Sequence, residues 1–117
     1  MKIRNLSRNC YIVEKGWEVK SWRGRLKGLI GHPPLQRGEG LIIRSCNWIH
    51  TFVMSFPIDV LYVDDQGQVV NLGQSMVPNR FGSPVWKASF VIELPAGTIT
   101  STGTAIGDQL DIEQTLA

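Results

Sequence analysis

Apolar residues in this chain arrive in short runs, and most runs are closed within a few positions by Gly, Pro, Asn or Asp. Strand-type runs fall at residues 10–13, 17–19, 41–43, 59–64, 69–72, 88–94 and 109–113. Segments this short suit strands, and periodic stretches of ten or more residues would be needed for ordinary helices. No alternation of strand and long helix is present, which argues against a doubly wound parallel sheet. The expectation is a mainly β fold of the α+β kind. Its core would be a small antiparallel-rich, barrel-like sheet of about six or seven short strands, with one short helix near residues 22–30.

The turns set the order of the pieces. Glu14-Lys15-Gly16 reads as a hairpin turn between residues 10–13 and 17–19. Trp22, Leu26, Leu29 and Ile30 recur at helical spacing; Ser21 stands at the N-cap, Gly31 just past the C-terminus, and His32-Pro33-Pro34 is the stop. Asp65-Gln66-Gly67-Gln68 turns a second hairpin over residues 59–72. Residues 77–86 carry Pro78, Asn79, Gly82, Ser83 and Pro84 and read as a loop longer than the usual 4–6 residues. Residues 98–105 are polar enough to read as a loop, and residues 109–113 as the last strand.

Composition bounds the class. A chain of 117 residues with 43% hydrophobic content supports one core, so residues 1–117 are read as a single domain. The net charge of +2 is mild and the basic residues form no continuous block, which argues against nucleic acid as a partner. The basic N-terminus is not followed by the apolar stretch of roughly 7–15 residues that a secretory signal needs. No run approaches the roughly 20 apolar residues of a membrane span. The reading is a soluble, cytoplasmic protein of open oligomeric state. Cys10 and Cys46 would close a long loop if paired, and the default for each is a small buried hydrophobe.

Chemically capable side chains concentrate between Cys46 and Asp65. If residues 46–54 are extended, Cys46, Trp48, His50, Phe52 and Met54 share one face, and Pro57 ends the strand. Cys46, His50 and Met54 are metal-capable types, but residues four apart in a strand are separated by about 13 Å, far beyond two bonds of about 2 Å to one ion. No metal and no cofactor are therefore expected. His50 and Asp59 are the pair suited to acid–base work, because imidazole titrates near neutrality and a carboxylate can orient it. The competing reading has Asp59 capping the turn after Pro57 or accepting backbone N–H groups, with His50 a hydrogen-bonded core residue. Trp48, Phe52 and Met54, with Cys46 and Asp59 nearby in sequence, have the composition of an apolar pocket anchored by His50, or of plain core.

Several of these pieces carry a family resemblance. Arg25-Leu26-Lys27-Gly28-Leu29, Gly38-Glu39-Gly40-Leu41, the block His50-Thr51-Phe52-Val53-Met54-Ser55-Phe56-Pro57-Ile58-Asp59, Asp65-Gln66-Gly67, Glu93-Leu94-Pro95-Ala96-Gly97 and Gly107-Asp108 occur in order along nearly the whole chain. Together they resemble the domain of unknown function 192 family, also called uncharacterised protein family 0127. The resemblance implies a small, mostly β, barrel-like bacterial or archaeal domain, often exported in other members, with no established biochemical role. The functional expectation is a module binding a small ligand or a protein at a pocket near His50. The alternatives are an enzyme using the His50/Asp59 pair, and an accessory module whose 77–86 loop, with Phe81 and Trp86, meets another protein.

Overall fold

The computed structural model describes residues 1–19, 34–44, 56–76 and 85–114. Their elements run β1 (Lys2–Asn5), β2 (Cys10–Val13), β3 (Lys15–Val19), β4 (Glu39–Arg44), β5 (Ile58–Val63), β6 (Val69–Met76), β7 (Phe90–Pro95), α1 (Thr98–Thr102) and β8 (Leu110–Glu113). The mainly β expectation holds. The strands form two sheets, one of three strands in the order β2-β1-β8 and one of five in the order β3-β4-β7-β5-β6. Neither closes into a barrel. All pairings are antiparallel except β3 with β4. The expected helix near residues 22–30, the expected strand at 46–54 and most of the 77–86 loop lie outside the described residues.

The five-stranded sheet has two buried faces, which explains the unbroken apolar character of its inner strands. Ile42, Leu61, Val63, Phe90, Ile92 and Leu94 point from one face toward Ile3, Ile12, Val13 and Leu110 of the smaller sheet, with Ile99 of α1 closing the same cluster. Leu41, Ile43, Ile58, Val60, Tyr62 and Val91 occupy the opposite face with Leu35 and Phe56. Period-two alternation thus sends each inner strand into two separate clusters. Where the sheets meet, Gly40 of β4 lies under Val13; a Cβ there would sit 2.6 Å from Val13 Cγ2, so only glycine permits this approach.

The expected hairpin over residues 59–72 forms as β5 and β6, with Val63 opposite Val69, Tyr62 opposite Asn71 and a register shift between these two pairs. Asp64 drives the turn: its Oδ1 accepts the N–H groups of Gln66 and Gln68 at 2.9 and 2.8 Å, and Gly67 takes φ +81°. The expected hairpin of residues 10–19 does not form. Only Glu14 separates β2 from β3, too little for even a two-residue hairpin loop. The Glu14 and Lys15 N–H groups instead both donate to Gly38 O, at 2.8 and 2.9 Å, and the chain passes from one sheet to the other. Residues 98–105 are likewise not simply a loop, for Thr98–Thr102 is helical. Gly97 and Gly103, both left-handed, bracket that turn, and burial of Ile99 holds it to the core.

Candidate functional site

β7 is the middle strand of the larger sheet, and five of its six residues are apolar. The sixth is Glu93. Its neighbours across the ladders are Leu41 on β4 and Val60 on β5. Alternation places it on the face of Val91, Val60 and Leu41, opposite the face that meets the smaller sheet. Glu93 is 4% exposed, and its Oε2 has no hydrogen-bond partner among the described residues. Burial in this apolar setting pushes the carboxyl up from an ordinary 4.5 to about 8, so the group is mostly protonated at neutral pH. A buried polar atom without a partner costs about 1–3 kcal/mol, and a buried carboxyl shifted this far is a candidate functional position.

Of the residues expected at a site, Asp59 is the one within the described residues; Cys46, Trp48, His50, Phe52 and Met54 lie outside them. Asp59 is buried on β5 and carries a structural load. Its Oδ1 accepts the Ser75 N–H at 2.8 Å, and its Oδ2 accepts those of Gly97 and Ile99 at 3.1 and 2.9 Å. These bonds tie the irregular end of β6, where Ser75 has φ +48°, to the start of α1. This is the backbone-satisfying role weighed for Asp59 from the sequence. Asp59 and Glu93 face opposite sides of the sheet, since Asp59 opposes Leu94 and Val60 opposes Glu93.

The sequence reading passed over Glu93. A signal was present: one carboxylate inside Phe-Val-Ile-Glu-Leu-Pro is out of place in a strand apolar on both faces. The endpoints of the neighbouring strands add to its interest. The chain leaves β4 at Arg44, opposite Phe90, and resumes β5 at Ile58, opposite Pro95, so the two ends bracket Glu93 along β7.

Two other polar places are less apt. Asp108 is buried and accepts from Arg8 Nε at 2.9 Å, Asn5 Nδ2 at 3.0 Å and the Ala105 N–H at 3.0 Å. Burial alone would raise this carboxyl, but the bonds from Arg8, Asn5 and Ala105 outweigh it and hold it below the ordinary carboxylate range. These bonds close the end of the smaller sheet. A shallow cleft of about 140 Å³ lies among Tyr11, Glu14, Arg37, Thr98, Ser101 and Thr102. Ligand pockets measure roughly 300–1,000 Å³. The hydroxyls of Thr98, Ser101 and Thr102 are also turned to backbone carbonyls, at 2.8, 3.1 and 2.8 Å. Among the described residues no three His, Cys, Asp or Glu side chains converge as a metal site would require. No helix among them is long and apolar enough to cross a membrane.

Fold and site together define a two-sheet β domain with a buried acid, Glu93, on one face of the larger sheet. Residues 17–112 match the DUF192 family, described as Uncharacterized ACR, and the chain belongs to it. A UPF0127 protein of Thermococcus sibiricus is 40% identical over 110 residues, an alignment covering 80% of this chain and 70% of that one. Two crystal structures share the fold. One, of a protein of unknown function from Novosphingobium aromaticivorans, superposes with a TM-score of 0.81 at 20% identity, covering 95% of this chain and 82% of that one. The other, from Sinorhizobium meliloti and provisionally labelled a transcription regulator, gives 0.80 at 18% identity, covering 94% and 89%.

Proposed function

We propose that residues 1–117 form one small-ligand-binding module whose site is the Glu93 face of the five-stranded sheet. The 46–54 segment would supply Trp48, His50, Phe52 and Met54 as further lining, with Cys46 beside them. The observation that carries this reading is the buried Glu93 carboxyl, whose Oε2 has no partner among the described residues. A stable protein does not place an unpaired acid on its central strand without a return, and a ligand that completes the hydrogen bonding is one such return. The bracketing of Glu93 by the ends of β4 and β5 supports a contribution from the residues between them. An acid–base role for His50 with Asp59 is less supported, because both Asp59 oxygens are already engaged by backbone donors.

Thermal-shift screening across metabolite classes tests the proposal, with Glu93→Leu and His50→Ala run beside the parent chain. A compound that raises the Tm of the parent and of neither variant is the expected result. If every stabilising compound acts equally on the Glu93→Leu protein, the site is elsewhere and the reading fails.

A second reading, an accessory interaction module, is favoured by one observation. Trp86 is 84% exposed in a turn closed by the Ala88 N–H to Val85 O bond, rather than folded onto the core. Its test is concentration-dependent association that disappears in Trp86→Ala; a monomer at all concentrations with no partner selected by Trp86 removes its motive.

A further inference from the structure

Resting on the binding reading above, we infer that the site takes an uncharged, mainly apolar ligand bearing one hydrogen-bond acceptor of carbonyl type, and that this oxygen sits against Oε2 of Glu93. The surroundings restrict the choice. Leu35, Leu41, Ile43, Phe56, Ile58, Val60 and Val91 are all hydrocarbon, and Tyr62 is the one residue of that cluster with a polar atom. Other charged groups of the same sheet lie on the other face or at a strand end. Arg44 lies over the Phe90 ring and pairs with Glu18, Asp59 is held by backbone donors, and Glu39, which starts β4, accepts the Gln36 N–H at 2.7 Å. Burial alone raises the Glu93 carboxyl, and no charged group among the described residues adds to or offsets that effect.

Each ligand charge can then be weighed. An anion would meet an acid that no cation among the described residues offsets. A cation would require Glu93 to ionise, and the resulting pair would sit among the alkyl groups of that cluster, where desolvation exceeds the Coulomb gain. An uncharged ligand avoids both costs. Protonated through neutral pH, Glu93 presents an O–H, whose complement is an acceptor oxygen. A group built to hydrogen-bond one ligand atom also discriminates strongly against an analogue lacking it, because the analogue leaves that group unpaired.

The test uses four probes of one size: acetophenone, ethylbenzene, 1-phenylethylamine as its ammonium ion, and benzoate. They are titrated into the parent protein labelled with ¹³C at the Glu carboxyls, with the Glu93 signal assigned by its loss in Glu93→Gln. Acetophenone should move that signal and bind about tenfold tighter than ethylbenzene, the size of one hydrogen bond to a desolvated group. The ammonium ion and benzoate should bind more weakly still. Glu93→Gln, which keeps an N–H donor, should retain the preference for acetophenone over ethylbenzene, and Glu93→Leu, an apolar side chain suited to this setting, should abolish it. Affinity for acetophenone should hold between pH 6 and 7 and fall as the pH passes about 8. Tyr62 and Glu39 on that side of the sheet, and His50 of the lining proposed above, are the other titratable groups to follow. Tighter binding of the ammonium ion overturns the inference while leaving a binding site at Glu93 intact. If no probe shifts the Glu93 carboxyl, the binding reading falls, and the inference with it.

Discussion

Glu93→Gln should change the pH dependence of stability in a defined window. In the unfolded chain the carboxyl ionises near its ordinary 4.5, whereas in the folded protein it stays protonated to about 8. Between these values the folded state binds the extra proton, so stability falls as pH rises. The slope is about 1.4 kcal/mol per pH unit, and across the window the folded state loses about 5 kcal/mol relative to a residue that does not titrate. Below 4.5 the effect is absent, and above 8 it is constant. Glutamine leaves a buried amide in place of the acid and carries its own penalty, but that penalty does not vary with pH. The quantity to measure is therefore the difference in unfolding free energy between Glu93→Gln and the parent, from urea titrations at pH 4, 5, 6, 7 and 8. With m of about 1–3 kcal/mol/M, the difference between their midpoints should move about 0.5–1.4 M toward the variant for each pH unit. A difference that is flat across this window refutes the reasoning, and one that moves toward the parent would mean that Glu93 is ionised beside a cation.

Asp59→Ala leaves the N–H groups of Ser75, Gly97 and Ile99 without their acceptor, at about 1–3 kcal/mol each where they stay buried. A loss of about 3 kcal/mol or more is expected, with amide exchange accelerated at those three residues ahead of β4; a loss under 1 kcal/mol would show that the tie is not what holds α1. Gly40→Ala should cost about 1–3 kcal/mol through its contact with Val13, and much of this should return in the Val13→Ala background. Equal costs in both backgrounds would place the strain elsewhere. Asp108→Asn should cost about 1–3 kcal/mol at pH 7 by weakening the bonds from Arg8, Asn5 and Ala105. Because the folded carboxyl is held below its ordinary value, that cost should shrink as pH falls through the folded value, and a cost that grows in acid would contradict the assignment.

The elements legible in the sequence were those whose local chemistry and tertiary role agree. Asp64 and Gly67 specify the β5–β6 turn by themselves, through an Asx bond and a left-handed backbone, so the hairpin over residues 59–72 could be read directly. The β2–β3 relation could not, because what decides it is Gly38 O, more than twenty positions away, capturing both the Glu14 and Lys15 N–H groups. The same holds for α1. Thr-Ile-Thr-Ser-Thr has little helical propensity, and the turn forms where Asp59 supplies an acceptor at its start and Ile99 a place in the core. Strand identity and the one partnership set by a tight turn were local information; the β2–β3 relation and the short helix were not.

The candidate site divides along the same line. His50 and Asp59 drew notice because of what their side chains can do, and chemical capability is visible in any sequence. What singles out Glu93 is the absence of an interaction, and that becomes visible only once its neighbours are known. A glutamate in an edge strand would alternate outward into water and mean nothing. On the middle strand of a sheet buried on both faces, neither parity offers solvent, so the carboxyl must be either paired or strained. Leu41 and Val60 opposite it supply no partner, and Oε2 finds none among the described residues. Such a position is costly to keep and simple to repair, since a leucine there would continue the apolar cluster. The same reasoning yields a last expectation: Glu93→Leu should be more stable than the parent at pH 8, where the parent bears the full cost of the buried acid, and the gain should narrow toward pH 5. A Glu93→Leu protein less stable than the parent at every pH would mean that the carboxyl holds the fold together, and the case for a site reserved for something outside the chain would lose its foundation.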